Sequence, residues 1–177
     1  MIIQVLVILL LIILISVTVL IYNILVNLRN NVNRSRSGID VYLQKRFDLI
    51  PNLIEVTKTY MNYERELLEK ISNLRSSFAQ NKNMEAIKEL NHQYNIIMAS
   101  IENYPELKAS EQFMNLQKSL IKVENELQAV RRIYNNDVTK YNTKISMFPN
   151  SIIAKILGFK PYDLFELEGE KDIIVKF

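Results

Sequence analysis

Residues 2–21 read IIQVLVILLLIILISVTVLI, an apolar run broken only by Gln4, Ser16 and Thr18. As a helix this run rises about 30 Å, the thickness of a bilayer's hydrocarbon core. It is apolar all round, whereas the core helix of a soluble domain is apolar along one stripe. The run therefore reads as a membrane-spanning helix. A cleaved signal sequence fits it less well. No Lys or Arg precedes the run, it is longer than a signal core, and Tyr22-Asn23-Ile24-Leu25 follows without a small-residue cleavage site. The basic residues lie on one side only: Arg29, Arg34 and Arg36, with Lys45 and Arg46 just beyond. Basic flanks stay cytoplasmic. The expected topology is a single pass through the cell membrane, with a short N-terminus outside and residues 23–177 in the cytoplasm. Tyr22 falls at the interface, where an amphipathic ring is favoured.

The composition narrows the chemistry. The chain of 177 residues has no Cys, one His (His92) and three Gly (Gly38, Gly158, Gly169). Without Cys there are no disulfides, thiolate nucleophiles or Cys-held zinc or iron–sulfur clusters. One His excludes sites that need two imidazoles. Scattered glycines exclude phosphate-cradling loops and dinucleotide fingerprints. Lys and Arg total 22 against 19 Asp and Glu, a net charge of +3. A nucleic-acid surface needs a larger, clustered excess, so no nucleic-acid partner is expected.

Beyond the span the pattern is helical, with breaks at Pro51, Asn81–Asn83, Pro105 and Pro149. Leu25, Leu28, Val32, Ile39, Leu43 and Phe47 mark one face of a first segment, residues 23–48. Asp48 before Leu49-Ile50-Pro51 predicts a new helix start, since Pro is tolerated in a first turn. A second helix is expected at about 50–79, with Ile50, Leu53, Thr57, Tyr60, Glu64, Leu67, Ile71, Leu74 and Phe78 in its stripe. A third, at about 84–104, carries Ile87, Leu90, Tyr94, Ile97, Ile101 and Tyr104. A fourth, at about 107–147, runs from Phe113 through Leu120, Leu127, Tyr134 and Tyr141 to Phe148. Steps of three and four are the heptad-like, coiled-coil pattern of helix packing. The steps 130→134→138 form a stutter, where a kink beside Asn135-Asn136-Asp137 is expected.

The fold class expected is all-α: an N-terminal transmembrane helix continuing into an up-and-down antiparallel four-helix bundle. Residues 1–22 form the anchor, 23–149 the bundle, and 150–177 a short amphipathic helix and tail. The helices would run about 39, 43, 31 and 61 Å, so the fourth overshoots its neighbours. A tilted bundle or a bent fourth helix resolves this, as does Pro51 merely kinking a helix that continues.

The tail begins with a helix, Ile152 to Leu157, stopped by Gly158. Ile152, Ile153, Ile156 and Leu157 form an apolar edge, with Phe159 beyond. Lys155 and Lys160 are placed to reach anionic headgroups. This edge is a candidate membrane interface, and the base of the bundle is the alternative dock. Residues 164–177 read as a strand or as disordered.

Few residues carry reaction chemistry. Glu89-x-x-His92 has the spacing of a di-iron carboxylate motif, but such a site needs two copies and His92 is the only His. The acidic pairs (Glu64 with Glu66 and Glu69, Glu85 with Glu89, Glu124 with Glu126) read as helix solvation rather than a cleft dyad. Arg131-Arg132 is a short basic pair that reads first as a helix-surface contact. Arg46, Asp48, Asn52 and Glu55 surround Pro51, and Glu64 lies on an apolar stripe. Buried charge must be paired, so these residues read as a network setting helix register, or as a partner site.

The motifs taken together resemble the LemA family. The similarity lies in Tyr22-Asn23-x-Leu25-Val26-x-Leu28-Arg29-Asn30 and in Ile39-Asp40-Val41-x-Leu43-x-Lys45-Arg46-x-Asp48-Leu49-Ile50-Pro51-Asn52-Leu53. It continues through Tyr104-Pro105-x-Leu107-Lys108-Ala109, Ala129-Val130-Arg131-Arg132-x-Tyr134-Asn135, Tyr141-Asn142, Phe148-Pro149, Gly158-Phe159 and Phe165-Glu166. Arg36 before Ser37 departs from the aromatic usual in the family. The resemblance implies a membrane-anchored bacterial helical bundle, with no established activity and no cofactor. The function expected is non-enzymatic binding. Its partners are the lipid bilayer and unidentified membrane or envelope proteins. Self-assembly into a homo-oligomer at the membrane surface is a second reading, and a metal-dependent or hydrolytic enzyme a third.

Overall fold

The computed structural model describes residues 1–61, 65–82 and 84–165, without the side chains of Arg65 and Met84. The described chain is all-α: α1 (Ile2–Thr57), α2 (Arg65–Asn81), α3 (Met84–Ile101), α4 (Pro105–Lys108), α5 (Glu111–Ser146) and α6 (Asn150–Ile156). The strand considered for the tail, and Glu64, lie outside the described residues.

The start of α1 behaves as its composition dictates. Its most apolar 18-residue window is only 6% buried, and its Leu, Ile and Val side chains point outward. The two hydroxyls inside the run are satisfied locally. Ser16 donates to the Ile12 carbonyl (2.8 Å) and Thr18 to that of Leu14 (2.8 Å). Both hydroxyls thus have a backbone partner and need no water.

Pro51 corrects the expected helix order. It does not open a second helix; α1 passes through it and ends at Thr57. An internal proline forfeits one backbone hydrogen bond and crowds the preceding turn, at about 3 kcal/mol. The offset is burial. Phe47, Ile50, Leu53, Ile54 and Thr57 are all essentially inaccessible, and a reversal at residue 51 would split that stripe. Thr57 closes the helix by donating to the Leu53 and Ile54 carbonyls. Residues 50–57 thus belong to α1, and Tyr60, expected in a core stripe, is exposed.

Two further boundaries move. α3 stops at Ile101, and a turn carries Tyr104 to the exposed position before Pro105, which opens α4. The expected fourth helix is interrupted at 109–110, where Ser110 Oγ accepts the Phe113 N–H (3.3 Å) and caps α5. Leu107 and Phe113 stay buried across this break. α5 then runs uninterrupted through the stutter.

The contacts form two compact units, with α1 and α5 contributing residues to each. Residues 37–130 make one. There Phe47 stacks on Phe78 (4.9 Å between ring centres), joining α1 to α2, and Ile87, Leu90, Ile97, Phe113, Leu120 and Leu127 complete the core. Residues 1–36 and the described residues from 131 to 165 make the other, whose core holds Leu25, Val32, Tyr134, Val138, Tyr141 and Phe165.

Gly38 lies in the interior of α1, where glycine costs helix stability through backbone entropy. A Cβ there would meet the Val130 side chain at ordinary distances, Cγ1 at 3.8 Å and Cβ at 4.0 Å. Gly38→Ala is expected to stabilise the chain by about 0.5–1 kcal/mol. Thermal unfolding of the full chain in detergent, followed by circular dichroism, measures this; a lower melting temperature contradicts the packing at this point.

Candidate functional site

Tyr134-Asn135 and Tyr141-Asn142 repeat a dipeptide seven residues apart on α5. Two helical turns place the copies about 10 Å apart along one face. Residues 160–165 run past that face without helical or sheet assignment, so their amides need side-chain partners. A carboxamide presents an N–H donor and a C=O acceptor side by side, the complement of a peptide's own C=O and N–H. Asn142 Nδ2 donates to the Tyr162 carbonyl (2.8 Å), and its Oδ1 accepts the Tyr162 N–H (3.0 Å). Asn135 repeats this on Phe165, with Nδ2 to carbonyl at 3.1 Å and N–H to Oδ1 at 2.8 Å. From 162 to 165 an extended chain advances about 10 Å, which matches the helical repeat.

The tyrosines complete the clamp. Tyr134 Oη donates to the Asp163 carbonyl and Tyr141 Oη to that of Lys160, both at 3.0 Å. Burial pushes the Tyr141 phenol above its ordinary value and Tyr162 adds to this, against Arg29, so Tyr141 remains a donor. Phe165 packs edge-on to Tyr134, Tyr162 edge-on to Tyr141, and Tyr162 Oη donates to Asn33 Oδ1 on α1. Arg131 lies over the Phe165 ring (5.2 Å) and Arg36 over Tyr134 (5.9 Å). Arg36 thus meets an aromatic ring supplied by α5.

The clamp holds the far end of α6. Gly158, at φ +72°, lets the Phe159 N–H return to the Ala154 carbonyl (2.9 Å) and its own N–H to that of Lys155 (3.4 Å). This is a Schellman cap, which needs a left-handed residue and so favours glycine. Phe159 lies edge-on to Tyr22 (6.1 Å) and beneath Arg29 (5.2 Å). Along α6, Ala154 and Asn150 are buried and Ile153 half-buried, whereas Ile152, Ile156 and Leu157 face outward. A cavity of about 460 Å³ is lined by Leu14, Val17, Thr18 and Ile21 from α1 and by Phe148, Pro149, Ile152, Ile153, Ile156 and Leu157. The candidate interface residues thus lie beside the last turns of the apolar run.

The polar residues near Pro51 divide between helices rather than forming one cluster. Arg46 pairs with Glu124 on α5 (2.8 Å) and lies over the Tyr94 ring (5.5 Å). Burial pushes the Tyr94 phenol up, with Arg46 opposing. Asp48 pairs with Arg75 on α2 (2.7 Å) and accepts from Gln44 (3.2 Å). Pro51 is half-buried, while Asn52, Glu55 and Arg132 are exposed. His92 is exposed too, and its neighbour Glu89 is held by Lys70 and Gln93, which keep its carboxyl below the usual range. Among the described residues no group of three or more acids and imidazoles is placed to hold a metal. A groove of about 530 Å³ lies between α1 and α5, its wall including Tyr42, Lys45, Asp48, Leu49, Lys122 and Glu126.

Fold and site together define an all-α protein whose N-terminal helix is long and apolar enough to cross a membrane. The chain belongs to the LemA family, whose profile matches residues 35–177. It is 28% identical over 152 residues to Protein LemA of Metamycoplasma hominis, covering 81% of this chain and 68% of that protein. It is 23% identical over 175 residues to Magnetosome protein MamQ 2 of Paramagnetospirillum magneticum, covering 82% of this chain. Magnetosome protein MamQ of Magnetospirillum gryphiswaldense is likewise 23% identical, over 174 residues and 81% of this chain. The chain spans 64% of the length of both MamQ proteins.

Hydrophobic patterning misses the clamp, although the Tyr-Asn repeat at a seven-residue interval is its signal in the sequence. Asn142→Ala removes both bonds to Tyr162 and leaves its half-buried backbone groups unpaired, at about 1 kcal/mol or more. Hydrogen exchange of the full chain is expected to show lost protection at the Tyr162 amide, with the α5 amides unchanged. Unchanged protection at Tyr162 contradicts the clamp.

Proposed function

We propose that this chain is a non-catalytic, single-pass membrane protein whose helical part binds other membrane or envelope proteins on the cytoplasmic side. The observation that carries this reading is α1 itself. An exposed apolar run of membrane-spanning length continues without a break into residues that pack with α2, α3 and α5. One helix shared by span and fold ties the folded residues directly to the bilayer, an arrangement suited to a membrane-fixed binding surface. Arg29, Arg34 and Arg36 after the run favour a cytoplasmic position for the helices beyond them. Binding is favoured over catalysis because three of the acids that sequence singles out are engaged in ion pairs: Glu89 with Lys70, Asp48 with Arg75 and Glu124 with Arg46. Val41 on α1 and Ile121 on α5 are half exposed and provide apolar contact points for a partner.

The absence of Cys makes single-cysteine reporters unambiguous. Gln80→Cys in intact cells is expected to resist a membrane-impermeant thiol reagent and to label fully after lysis; labelling without lysis overturns the topology. Photo-crosslinkers at Val41 and Ile121 are expected to capture proteins other than the chain itself. Adducts only with a second copy replace the binding reading with self-assembly.

A further inference from the structure

The geometry points to α6 and the turn before it as a second membrane-embedded element, one that sits in the bilayer beside the span and contacts acyl chains directly. This inference rests on the reading of α1 as a membrane span. Its first support is depth. If residues 2–21 fill the hydrocarbon core, Leu14 lies about 10 Å inside the edge marked by Ile21. Both line one cavity with Phe148, Ile152 and Ile156. The side chains that share this cavity lie within the depth spanned by Leu14 and Ile21.

The second support is the outward surface. Phe148 is 80% exposed and Ile156 76%, with Ile152 and Met147 about half exposed beside them. In water this patch would forfeit about 1.5–3 kcal/mol for each large side chain left wet. It is continuous with the exposed apolar surface of α1 through the shared cavity, and that continuity identifies the occupant as bilayer hydrocarbon rather than a protein partner.

The third support is the backbone. Non-helical chain survives at membrane depth only when its polar groups are satisfied internally. Pro149 has no N–H to satisfy. The Ser151 N–H bonds to the Met147 carbonyl (2.8 Å) and the Ile152 N–H to that of Pro149 (3.3 Å). At the other end the Schellman cap uses the Ala154 and Lys155 carbonyls, and the Leu157 N–H bonds to that of Ile153 (2.9 Å). The buried Asn150 carboxamide donates to the Lys144 carbonyl (3.2 Å). Lys155 is the one charge on α6, and its long stem allows the ammonium to reach the headgroup layer.

The chain has no Trp, so an introduced one reports alone. The test places Trp singly at Val17, Ile152, Ile156 and Lys140 in the full chain, reconstituted at low density into phosphatidylcholine–phosphatidylglycerol vesicles with brominated acyl chains. I156W and I152W are expected to show blue-shifted emission, quenched to the extent seen for V17W, while K140W stays red and unquenched. Quenched V17W beside unquenched I152W and I156W overturns the embedded element and leaves the span intact. Unquenched V17W overturns the span and this inference with it. Circular dichroism of each variant confirms that helix content is retained, and the two α6 positions check each other if one variant misfolds.

Discussion

The paired amide contacts of Asn135 and Asn142 are the constraint on which residues 131–165 depend. A lone neutral hydrogen bond contributes about 1 kcal/mol net, too little to order an extended segment. Here the contact is doubled at each asparagine and repeated after two turns, at a spacing that an extended chain reproduces in three residues. The neighbouring tyrosines tie Lys160 before these points and Asp163 between them, so the segment is held at residues 160, 162, 163 and 165. α6 is thereby tethered at both ends, by the end of α5 before it and by the clamped segment after it.

That tether explains a short helix with two apolar faces. Ala154 and half-buried Ile153 satisfy the inner face, while Ile152 is half exposed and Ile156 mostly exposed. A free amphipathic helix would turn its apolar side inward. One held at both ends keeps its orientation, and its outer face takes the solvent at that depth. Beside Leu14 and Val17 that solvent is the one chosen by the apolar run of α1. Phe159, clasped between Tyr22 and Arg29, marks the level at which apolar contacts give way to aromatic and charged ones.

The membrane helix and the helical stripes are legible in the sequence because both are patterns of hydrophobic period. Val32, Ile39, Leu43, Phe47, Ile71, Phe78, Ile87, Leu90, Phe113 and Leu127 are all buried as that period requires. Pro51 misleads because its local propensity competes with the stripe. The spacing from Leu43 through Phe47, Ile50, Leu53 and Thr57 passes the proline without a break, and burial decides the matter. The ion pairs are illegible for another reason. Arg46 finds Glu124, and Asp48 finds Arg75, across sequence distances that no short motif encodes. The asparagine half of the clamp has no hydrophobic signature, since its specificity is carried by carboxamides binding main chain. Only the repeated Tyr-Asn dipeptide announces it.

The central claim is that α6 lies alongside the apolar run of α1, at the depth of residues 14–21. Val17 and Ile153 line the same cavity, and a chain without Cys accepts one engineered pair cleanly. In native membranes, the full chain carrying V17C and I153C should be joined within the molecule by a short, membrane-permeant bis-thiol reagent, as read by a protease site inserted between α1 and α6. The matched pair V7C and I153C, two to three turns further up the span, should remain unjoined. Failure of the first pair to join, in chain whose two thiols both react singly, contradicts the claim.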